Sequence, residues 1–238
     1  MPTNNILFVL TSHNKFLSGK ETGWYLPEAA HPYYVLKDAG FKVTFASPAG
    51  GKAPLDQSSV EMFKEDEQCQ RFLNSQDTQD LVNKTHKLSD QKIEDYDAVF
   101  FVGGHGPIFG ESLTNASGHL TTDKTSIKLI QDFWAADKPV SAVCHAPTVF
   151  LEVMDTKTGE PFVKGKSVTC FSNTEEEQAG LVDEIPFLVE TQLKAKGAKF
   201  ENKREPWGEE VVVDGKFITG GNPASAAGVA KALLKILQ

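Results

Sequence analysis

The chain has 238 residues, 24 basic and 32 acidic, and a formal net charge of −8. Its hydrophobic fraction of 40% is ordinary for a globular protein and excludes a disordered or fibrous chain. The acidic balance argues against nucleic acid as a partner, because phosphate binding needs a basic surface. No apolar run approaches the roughly 18–20 residues that span a bilayer, and the first residues lack the pattern of a signal peptide. The three cysteines fit neither a disulfide framework nor a zinc cluster, so we expect free thiols in the cytoplasm, or also in the nucleus of a eukaryotic cell.

Apolar runs alternate with helix-like segments along the chain. The runs predict buried strands over residues 6–10, 41–46, 98–102, 140–143 and 168–171. Helices are predicted over residues 27–39, 121–136, 145–154, 175–193 (with a break at Pro186) and 223–237. Residues 210–219 alternate around Asp214-Gly215, which predicts a β-hairpin. This order is typical of an α/β, flavodoxin-like, doubly wound and mostly parallel sheet with helices on both faces.

The stretch from residue 51 to residue 97 differs from the rest. It is polar, weakly periodic and rich in Asp, Gln, Asn and Lys. We interpret it as a small, lid-like helical insertion over one edge of the sheet rather than as a second domain. Residues 1–238 are therefore expected to form a single domain.

Cys144 directly follows the strand predicted over residues 140–143. Ala142 and Ala146 stand two places before and after it, and a nucleophile on a sharp strand-to-helix turn needs small neighbours there. A helix N-terminus at that point would lower the pKa of the thiol. The alternative is a small buried side chain at a strand end. Cys69 lies in a polar helix and is not expected to be functional. Cys170, at a strand end, is expected to have a packing role, with a position near the site as the alternative.

Residues 103–106, Gly-Gly-His-Gly, follow another strand that ends at the same edge of the sheet. Glycines let backbone N–H groups approach a ligand closely, so this segment is a candidate oxyanion hole around Gly104 and His105. The alternative is an ordinary tight turn. Because ligands bind beyond the carboxyl ends of parallel strands, we expect this segment and Cys144 to face one site.

Glu28 lies in the first turn of a predicted helix, next to aromatic residues and a proline. Such a carboxylate usually interacts with the helix dipole, but apolar neighbours would raise its pKa towards that of a general acid or base. Glu28 and His31 are three residues apart, as in a metal-ligand pair. No second pair of this kind is visible, so no metal is predicted.

These motifs together resemble the ThiJ/PfpI superfamily of class I glutamine amidotransferase-like proteins, in the branch of glutathione-independent glyoxalases and heat-shock chaperones. The resemblance covers nearly the whole chain and is carried by Glu-Ala-Ala-His-Pro at 28–32, Ala-Val-Cys-His-Ala-Pro at 142–147, Gly-Lys-Ser-Val-Thr at 165–169 and Thr-Gly-Gly-Asn-Pro-Ala-Ser at 219–225. It implies Cys144 as nucleophile, His145 as its partner and Glu28 as the proton-transferring acid. It also implies an orienting acid among Glu175, Glu176 and Glu177. Counting from Gly165 favours Glu176, and the other two are expected to be solvated surface charges.

The resemblance implies a cofactor-independent lyase that converts methylglyoxal and related 2-oxoaldehydes to D-lactate-type 2-hydroxy acids through a cysteine hemithioacetal. A homodimer is also implied. The alternatives are a holdase chaperone or a cysteine redox sensor, and then a deglycase or a cysteine amidohydrolase or peptidase. Two segments depart from the branch, at residues 53–56 and 107–110. Both are expected to line the pocket, so they bear on the choice of substrate rather than on the catalytic set.

Overall fold

The computed structural model describes residues 2–109 and 120–238. Its main sheet contains seven strands: β1 (Asn5–Val9), β2 (Lys42–Ser47), β3 (His86–Lys87), β4 (Ala98–Phe101), β5 (Val140–Val143), β8 (Val211–Asp214) and β9 (Phe217–Gly220). The strand order is β3-β2-β1-β4-β5-β9-β8, and every neighbouring pair is parallel except β8 and β9. Two further strands, β6 (Ser167–Val168) and β7 (Lys199–Phe200), form a separate small parallel sheet. The predicted α/β fold and its β8–β9 hairpin are confirmed.

The helices follow the strands in chain order. They are α1 (Leu26–Asp38), α2 (Gln57–Met62), α3 (Glu67–Asn74), α4 (Gln76–Asn83), α5 (Lys124–Ala135), α6 (Asn173–Ala179), α7 (Val189–Ala195) and α8 (Ala226–Leu237). Short 3₁₀ turns lie at Leu88–Asp90, Ile93–Asp95, Gly106–Ile108, Ala146–Phe150, Val182–Glu184 and Pro223–Ser225. Within the described part of the chain, no helix is long and apolar enough to cross a membrane.

The sheet is buried on both faces, which explains the continuous apolar runs. In β1, Ile6 and Phe8 join the core that contains residues of α1, α3 and α8, whereas Leu7 and Val9 join the core that contains residues of α5 and α7. Successive side chains of a strand point to opposite faces, so a strand between two helical layers is apolar at most of its positions.

The segment from residue 51 to residue 97 is helical in its first part, as predicted. It contains α2, α3 and α4, and then adds β3, which pairs with β2 at the edge of the sheet. The helix α3 packs against α1, the helix that carries Glu28.

The helix predicted over residues 145–154 is wrong. The structure has only a 3₁₀ turn at Ala146–Phe150, and all five of its residues are buried. Thr148 and Val149 are β-branched, so they add little helix propensity, and packing on all sides determines the backbone.

Two other predicted elements are shorter than expected. Of residues 168–171, only Val168 lies in a strand, which spans Ser167–Val168 and lies outside the main sheet. The N–H of Phe171 instead donates to the carbonyl of Cys144, at 2.8 Å. The helix predicted over residues 175–193 is two helices, because Gly180 adopts a left-handed conformation (φ 70°) that ends α6.

Candidate active site

Cys144 lies at the carboxyl end of β5 in a conformation that is unusual for a residue with a side chain. Its φ is 62°, its N–H donates to the carbonyl of Gly220 in β9, and its side chain is 4% exposed. A non-glycine residue held in the left-handed region costs free energy, and such strain is found at functional sites. The sharp turn predicted from the small neighbours of Cys144 is present.

His145 connects the thiol to a buried carboxylate. Its Nδ1 lies 3.2 Å from the sulfur of Cys144, and its Nε2 lies 2.6 Å from Oε2 of Glu176. Burial, and next the neighbouring His105, lower the pKa of His145, although Glu176 opposes them. The ring is therefore neutral near pH 7 and carries its proton on Nε2, because an ionised carboxylate can only accept. Nδ1 then has the lone pair that can take the thiol proton.

Glu176 binds a second histidine as well. Its Oε1 lies 3.0 Å from Nε2 of His105, and the two imidazole rings are 4.0 Å apart between centroids. Burial alone would raise the pKa of Glu176, but attraction to His145 and hydrogen bonds from both rings hold it well below its usual value. Sequence reasoning placed His105 near an oxyanion, whereas its Nε2 is bonded to Glu176. One carboxylate thus orients both rings.

Glu28 reaches the thiol from the first turn of α1. Its carboxyl is completely buried, and among the described residues neither oxygen has a hydrogen bond of standard geometry. Gly103 makes room for it, since a Cβ there would lie 2.2 Å from Oε2 of Glu28 and 2.9 Å from the Cβ of Cys144. Burial raises the pKa of Glu28 to about 8, although the Cys144 thiol and the amides of Gly104 and Gly103 oppose it. Near pH 7, Glu28 is mainly a protonated acid.

The thiol of Cys144 holds its proton more tightly than the sequence predicts. Burial, then the charge of Glu28 and its hydrogen bond, raise the pKa of Cys144 well above its usual value, although the Gly104 amide opposes them. The α-helix that was expected to lower this pKa is absent, because Ala146–Phe150 is a single 3₁₀ segment. The prediction of a depressed thiol pKa is therefore wrong. Two acids buried side by side do not both ionise, so the thiol proton must pass to His145 at the moment of attack.

Glu175 is not the surface charge that the sequence predicts. It is completely buried and forms a bidentate ion pair with Arg204, at 2.6 and 2.9 Å. It also accepts from Asn222 and completes a capping box with Ser172 at the start of α6. Burial opposes its ionisation, but hydrogen bonds from Arg204, Asn222 and Ser172 outweigh it and lower the pKa of Glu175 to about 2. Only Glu177 of the three acids is exposed.

Aromatic side chains close one side of the site. The ring of Phe171 lies 4.5 Å from that of His145, and Trp207 packs on Phe171 at 5.5 Å. Phe16 lies 5.1 Å from His105. Phe171 is in place because its N–H is bonded to the carbonyl of Cys144. These rings keep water from the two imidazoles and offer apolar contacts to a small substrate.

The two segments that depart from the family pattern, residues 53–56 and 107–110, lie in different surroundings. Asp56 is the buried N-cap of α2 and also accepts from the hydroxyl of Thr22, so it supports the chain that leads into α1. In the other segment, Pro107 to Phe109 are buried next to the site turn, while Gly110 lies outside the described residues.

Two groups of side chains in the described ranges have atoms close enough to hold one cation. His105, His145 and Glu176 form one, in which each imidazole hydrogen-bonds to the carboxylate. His31, Asp66 and Cys69 form the other. The Glu28–His31 metal pair considered above is not formed, since the ring of His31 turns to Asp66.

Cys69 and Cys170 are both free thiols with no exposed surface. Burial raises the pKa of each thiol. A hydrogen bond to Asp66 raises the pKa of Cys69 further, and the charge of Glu190 raises that of Cys170 further. Cys170 packs in the core that contains residues of α5 and α7, as expected. Cys69 is buried against His31, which its polar sequence surroundings did not suggest.

Residues 21–236 match the model of the DJ-1/PfpI family. The chain belongs to this family. It is 33% identical over 240 residues to "Glyoxalase 3" of Candida albicans, with 98% of each chain covered. It is also 33% identical over 247 residues to "Glutathione-independent glyoxalase HSP31" of Saccharomyces cerevisiae, with 95% of this chain and 94% of the relative covered. The crystal structure of glyoxalase III from Candida albicans superposes with a TM-score of 0.87 at 30% identity, covering 98% of this chain and 97% of that one.

The comparisons confirm the family resemblance and the fold. The mostly parallel, seven-stranded sheet matches the structures of DJ-1/PfpI neighbours. The roles of Cys144, His145, Glu28 and Glu176 rest on the geometry described above and are taken up as proposals.

Proposed function

We propose that this DJ-1/PfpI protein is a glutathione-independent glyoxalase that converts methylglyoxal and related 2-oxoaldehydes to D-2-hydroxy acids. The observation that carries the proposal is the pairing of two proton-transferring groups on one thiol. His145 lies 3.2 Å from the sulfur of Cys144, and the buried carboxyl of Glu28 interacts with the same thiol. A redox sensor or a holdase has no need for both groups. An isomerisation that moves protons twice needs both.

The first step joins the thiol to the substrate. The sulfur of Cys144 forms a bond to the aldehyde carbon, Nδ1 of His145 accepts the thiol proton, and the proton then passes to the aldehyde oxygen. The product is a hemithioacetal. The amide of Gly104, which approaches the sulfur, and that of His145 are the donors we assign to the developing oxyanion.

The second step is the proton shuttle. Ionised Glu28 removes the hydrogen from the carbon bonded to sulfur, and the electron pair moves towards the neighbouring carbonyl. The oxygen of that carbonyl takes up the proton of the hemithioacetal hydroxyl, which gives an enediolate. Glu28 returns the proton to that second carbon, which leaves the thioester of a 2-hydroxy acid. The aldehyde carbon is oxidised and the ketone carbon is reduced, so no external oxidant or cofactor is required. A pKa of about 8 keeps Glu28 able both to donate and to accept near neutral pH.

The third step releases the product. His145, oriented by Glu176, removes a proton from water, the water oxygen attacks the thioester carbon, and the carbon–sulfur bond breaks. The thiolate of Cys144 recovers its proton and the 2-hydroxy acid leaves. Glu176 acts through His145 and His105, so we assign it a positioning role. We also propose that residues 51–97 serve as a lid within a single domain.

The decisive experiment is incubation with methylglyoxal alone, followed by enzymatic determination of D-lactate. We expect steady D-lactate formation by the wild type without glutathione, and none by Cys144→Ala. Cys170→Ala is the matched control, because it removes a second buried thiol and should retain activity. Loss of methylglyoxal without lactate would instead indicate a scavenger or deglycase, and lactate formation by Cys144→Ala would reject the thiol mechanism.

Two parts of the proposal concern the cellular setting rather than the chemistry. Three free thiols fit a reducing compartment, so we propose a cytoplasmic location. We also propose a homodimer, which analytical ultracentrifugation of the full chain tests.

A further inference from the structure

His31, Asp66 and Cys69 converge on one point between α1 and the insertion. Nε2 of His31 lies 3.1 Å from each carboxylate oxygen of Asp66 and 3.8 Å from the sulfur of Cys69. Asp66 is the N-cap of α3 and accepts from the N–H of Cys69, at 2.8 Å. The cap therefore fixes the carboxylate beside the sulfur, and the packing of α3 on α1 brings the imidazole to both.

The arrangement is not that of a second catalytic triad. In a Cys–His–Asp triad the two ring nitrogens are divided, one facing the nucleophile and the other facing the acid, as in Cys144–His145–Glu176. Here the same nitrogen of His31 faces both the sulfur and the carboxylate. Such a ring cannot relay a proton between Cys69 and Asp66 through its two nitrogens. Three ligand atoms that converge in this way are instead the geometry of coordination.

The spacing of these atoms fits a tetrahedral cation. Zinc bonds of about 2.0–2.3 Å to nitrogen, oxygen and sulfur place neighbouring ligand atoms about 3.3–3.8 Å apart. The ligand atoms of His31, Asp66 and Cys69 all lie within 4.8 Å of one another, and the separations of the His31 nitrogen from Asp66 and from Cys69 need shifts of only a few tenths of an ångström. A mixed nitrogen, sulfur and oxygen set favours Zn²⁺ over Mg²⁺ or Ca²⁺, which take oxygen ligands.

We propose that His31, Asp66 and Cys69 form a binding site for Zn²⁺ that is separate from the catalytic thiol. The side chains of His31 and Asp66 are 18% and 31% exposed, so a cation can enter and take water as its fourth ligand. Binding forms the sulfur–zinc bond while the thiol proton of Cys69 passes to solvent. Because His31 follows Glu28 by one helical turn, the cation would tie the helix of the catalytic acid to the insertion. Neither the family match nor the glyoxalase chemistry requires this site.

The test uses Co²⁺ as a spectroscopic probe and Zn²⁺ as its competitor. The full chain carries Cys144→Ser, so that the catalytic thiol cannot contribute a sulfur ligand. We expect a thiolate-to-cobalt charge-transfer band, with the visible bands of a tetrahedral site, that Zn²⁺ abolishes. Cys69→Ser should remove the charge-transfer band. His31→Gln and Asp66→Asn should weaken Zn²⁺ binding by at least about 10–100-fold, the loss caused by removing even an outer-shell partner.

The chain offers a matched control for the cap. Asp123 is the N-cap of α5 and accepts from Ser126, but it belongs to neither group of metal-ligating side chains. Asp123→Asn should leave Zn²⁺ affinity unchanged, and asparagine caps helices as well as aspartate does. If Cys69→Ser fails to fold, Zn²⁺ binding by His31→Gln and Asp66→Asn still tests the proposal. Absence of a thiolate band, its persistence in Cys69→Ser, or loss of Zn²⁺ binding only in His105→Gln would overturn the proposal.

Discussion

Glu28 and Cys144 are two acids buried side by side, and the carboxyl of Glu28 makes ionisation of the Cys144 thiol harder. The pKa of Glu28 is raised to about 8 by burial, and that of Cys144 is raised further by burial and by Glu28 itself. Glu28 therefore ionises first as the pH rises. The carboxylate that forms next to the thiol then shifts ionisation of the thiol to still higher pH.

Glu28→Gln should separate nucleophilicity from turnover. An amide cannot carry a proton between two carbons, so we expect no detectable D-lactate. The same change removes the negative charge and the hydrogen bond that raise the pKa of Cys144, so its alkylation by iodoacetamide should begin at lower pH than in the wild type. Lactate assays and mass-spectrometric alkylation profiles measure the two effects. Retained turnover, or an unchanged alkylation profile, would show that Glu28 is only a charge at a helix start.

Single residues could be predicted where a local pattern has a local cause. Cys144 is recognisable because Ala142 and Ala146 leave space for a tight turn, and the structure has that turn. The direction of its pKa shift was not predictable, since it depends on Glu28, which is remote in sequence, and on the absence of an α-helix after the turn. The shared role of Glu176 with His105 was missed for the same reason, because no local signal links residues so far apart.

At the scale of elements, helix α6 presents three consecutive glutamates with three different surroundings. Ser172 at the N-cap and Glu175 at the third helical position bond to each other, which turns Glu175 back towards the helix start. Glu176 then faces the two histidines, and Glu177 faces solvent. The Ser-x-x-Glu spacing is visible in the sequence. It was the unused signal that separates Glu175 from its neighbours.

Neutral glutamine at each of these positions should have three distinct effects. Glu176→Gln should reduce kcat by about 10–10³-fold with little loss of stability, since nucleophile and oxyanion donors stay in place. Glu175→Gln leaves Arg204, 5% exposed, without its carboxylate and should cost about 3–5 kcal/mol of unfolding free energy. Glu177→Gln is the matched control and should change neither quantity. Steady-state kinetics and urea denaturation distinguish them, and a silent Glu176→Gln would reduce the site to a Cys144–His145 dyad.

The helices and strands were predictable where burial leaves a clear pattern in the local sequence. Strands β1, β4 and β5 are continuous apolar runs, and the Asp214-Gly215 turn determines the β8–β9 hairpin. The segments after Cys144 and before α6 were not predictable in detail, because their N–H groups bond to remote partners. Phe171, for example, donates to the carbonyl of Cys144, and Thr169 donates to the hydroxyl of Thr219. Gly180 marks the end of α6 in the sequence, although only the structure shows its left-handed conformation.

For the whole molecule, the buried carboxyls predict opposite pH dependences of stability. Glu175 and Glu176 have lowered pKa values, so they stabilise the fold above about pH 4.5 and lose that contribution as the pH falls towards 2. Glu28 has a raised pKa, so the native state keeps its proton while the unfolded chain ionises, and stability falls as the pH rises from 4.5 to about 8.

Glu28→Gln should therefore make the protein more stable at pH 8, by a few kcal/mol at about 1.4 kcal/mol for each pKa unit. The gain should shrink towards pH 5, where wild-type Glu28 is protonated in the native state. Urea denaturation at several pH values measures it, with Glu177→Gln as the control. A variant less stable than the wild type at pH 8 would contradict the burial of an uncompensated acid.

The central position of β5 has a consequence for synthesis of the chain. Its neighbour β9 begins at Phe217, so a nascent chain must extend through residues 144–216 before β5 is covered on that side. At about 5–20 residues per second, translation exposes this apolar edge for roughly 4–15 s. The carbonyl of Gly220 that holds the backbone of Cys144 arrives later still. The ribosome therefore releases almost the entire polypeptide before the reactive cysteine acquires its shape, and the unpaired edge of β5 needs shielding during that interval.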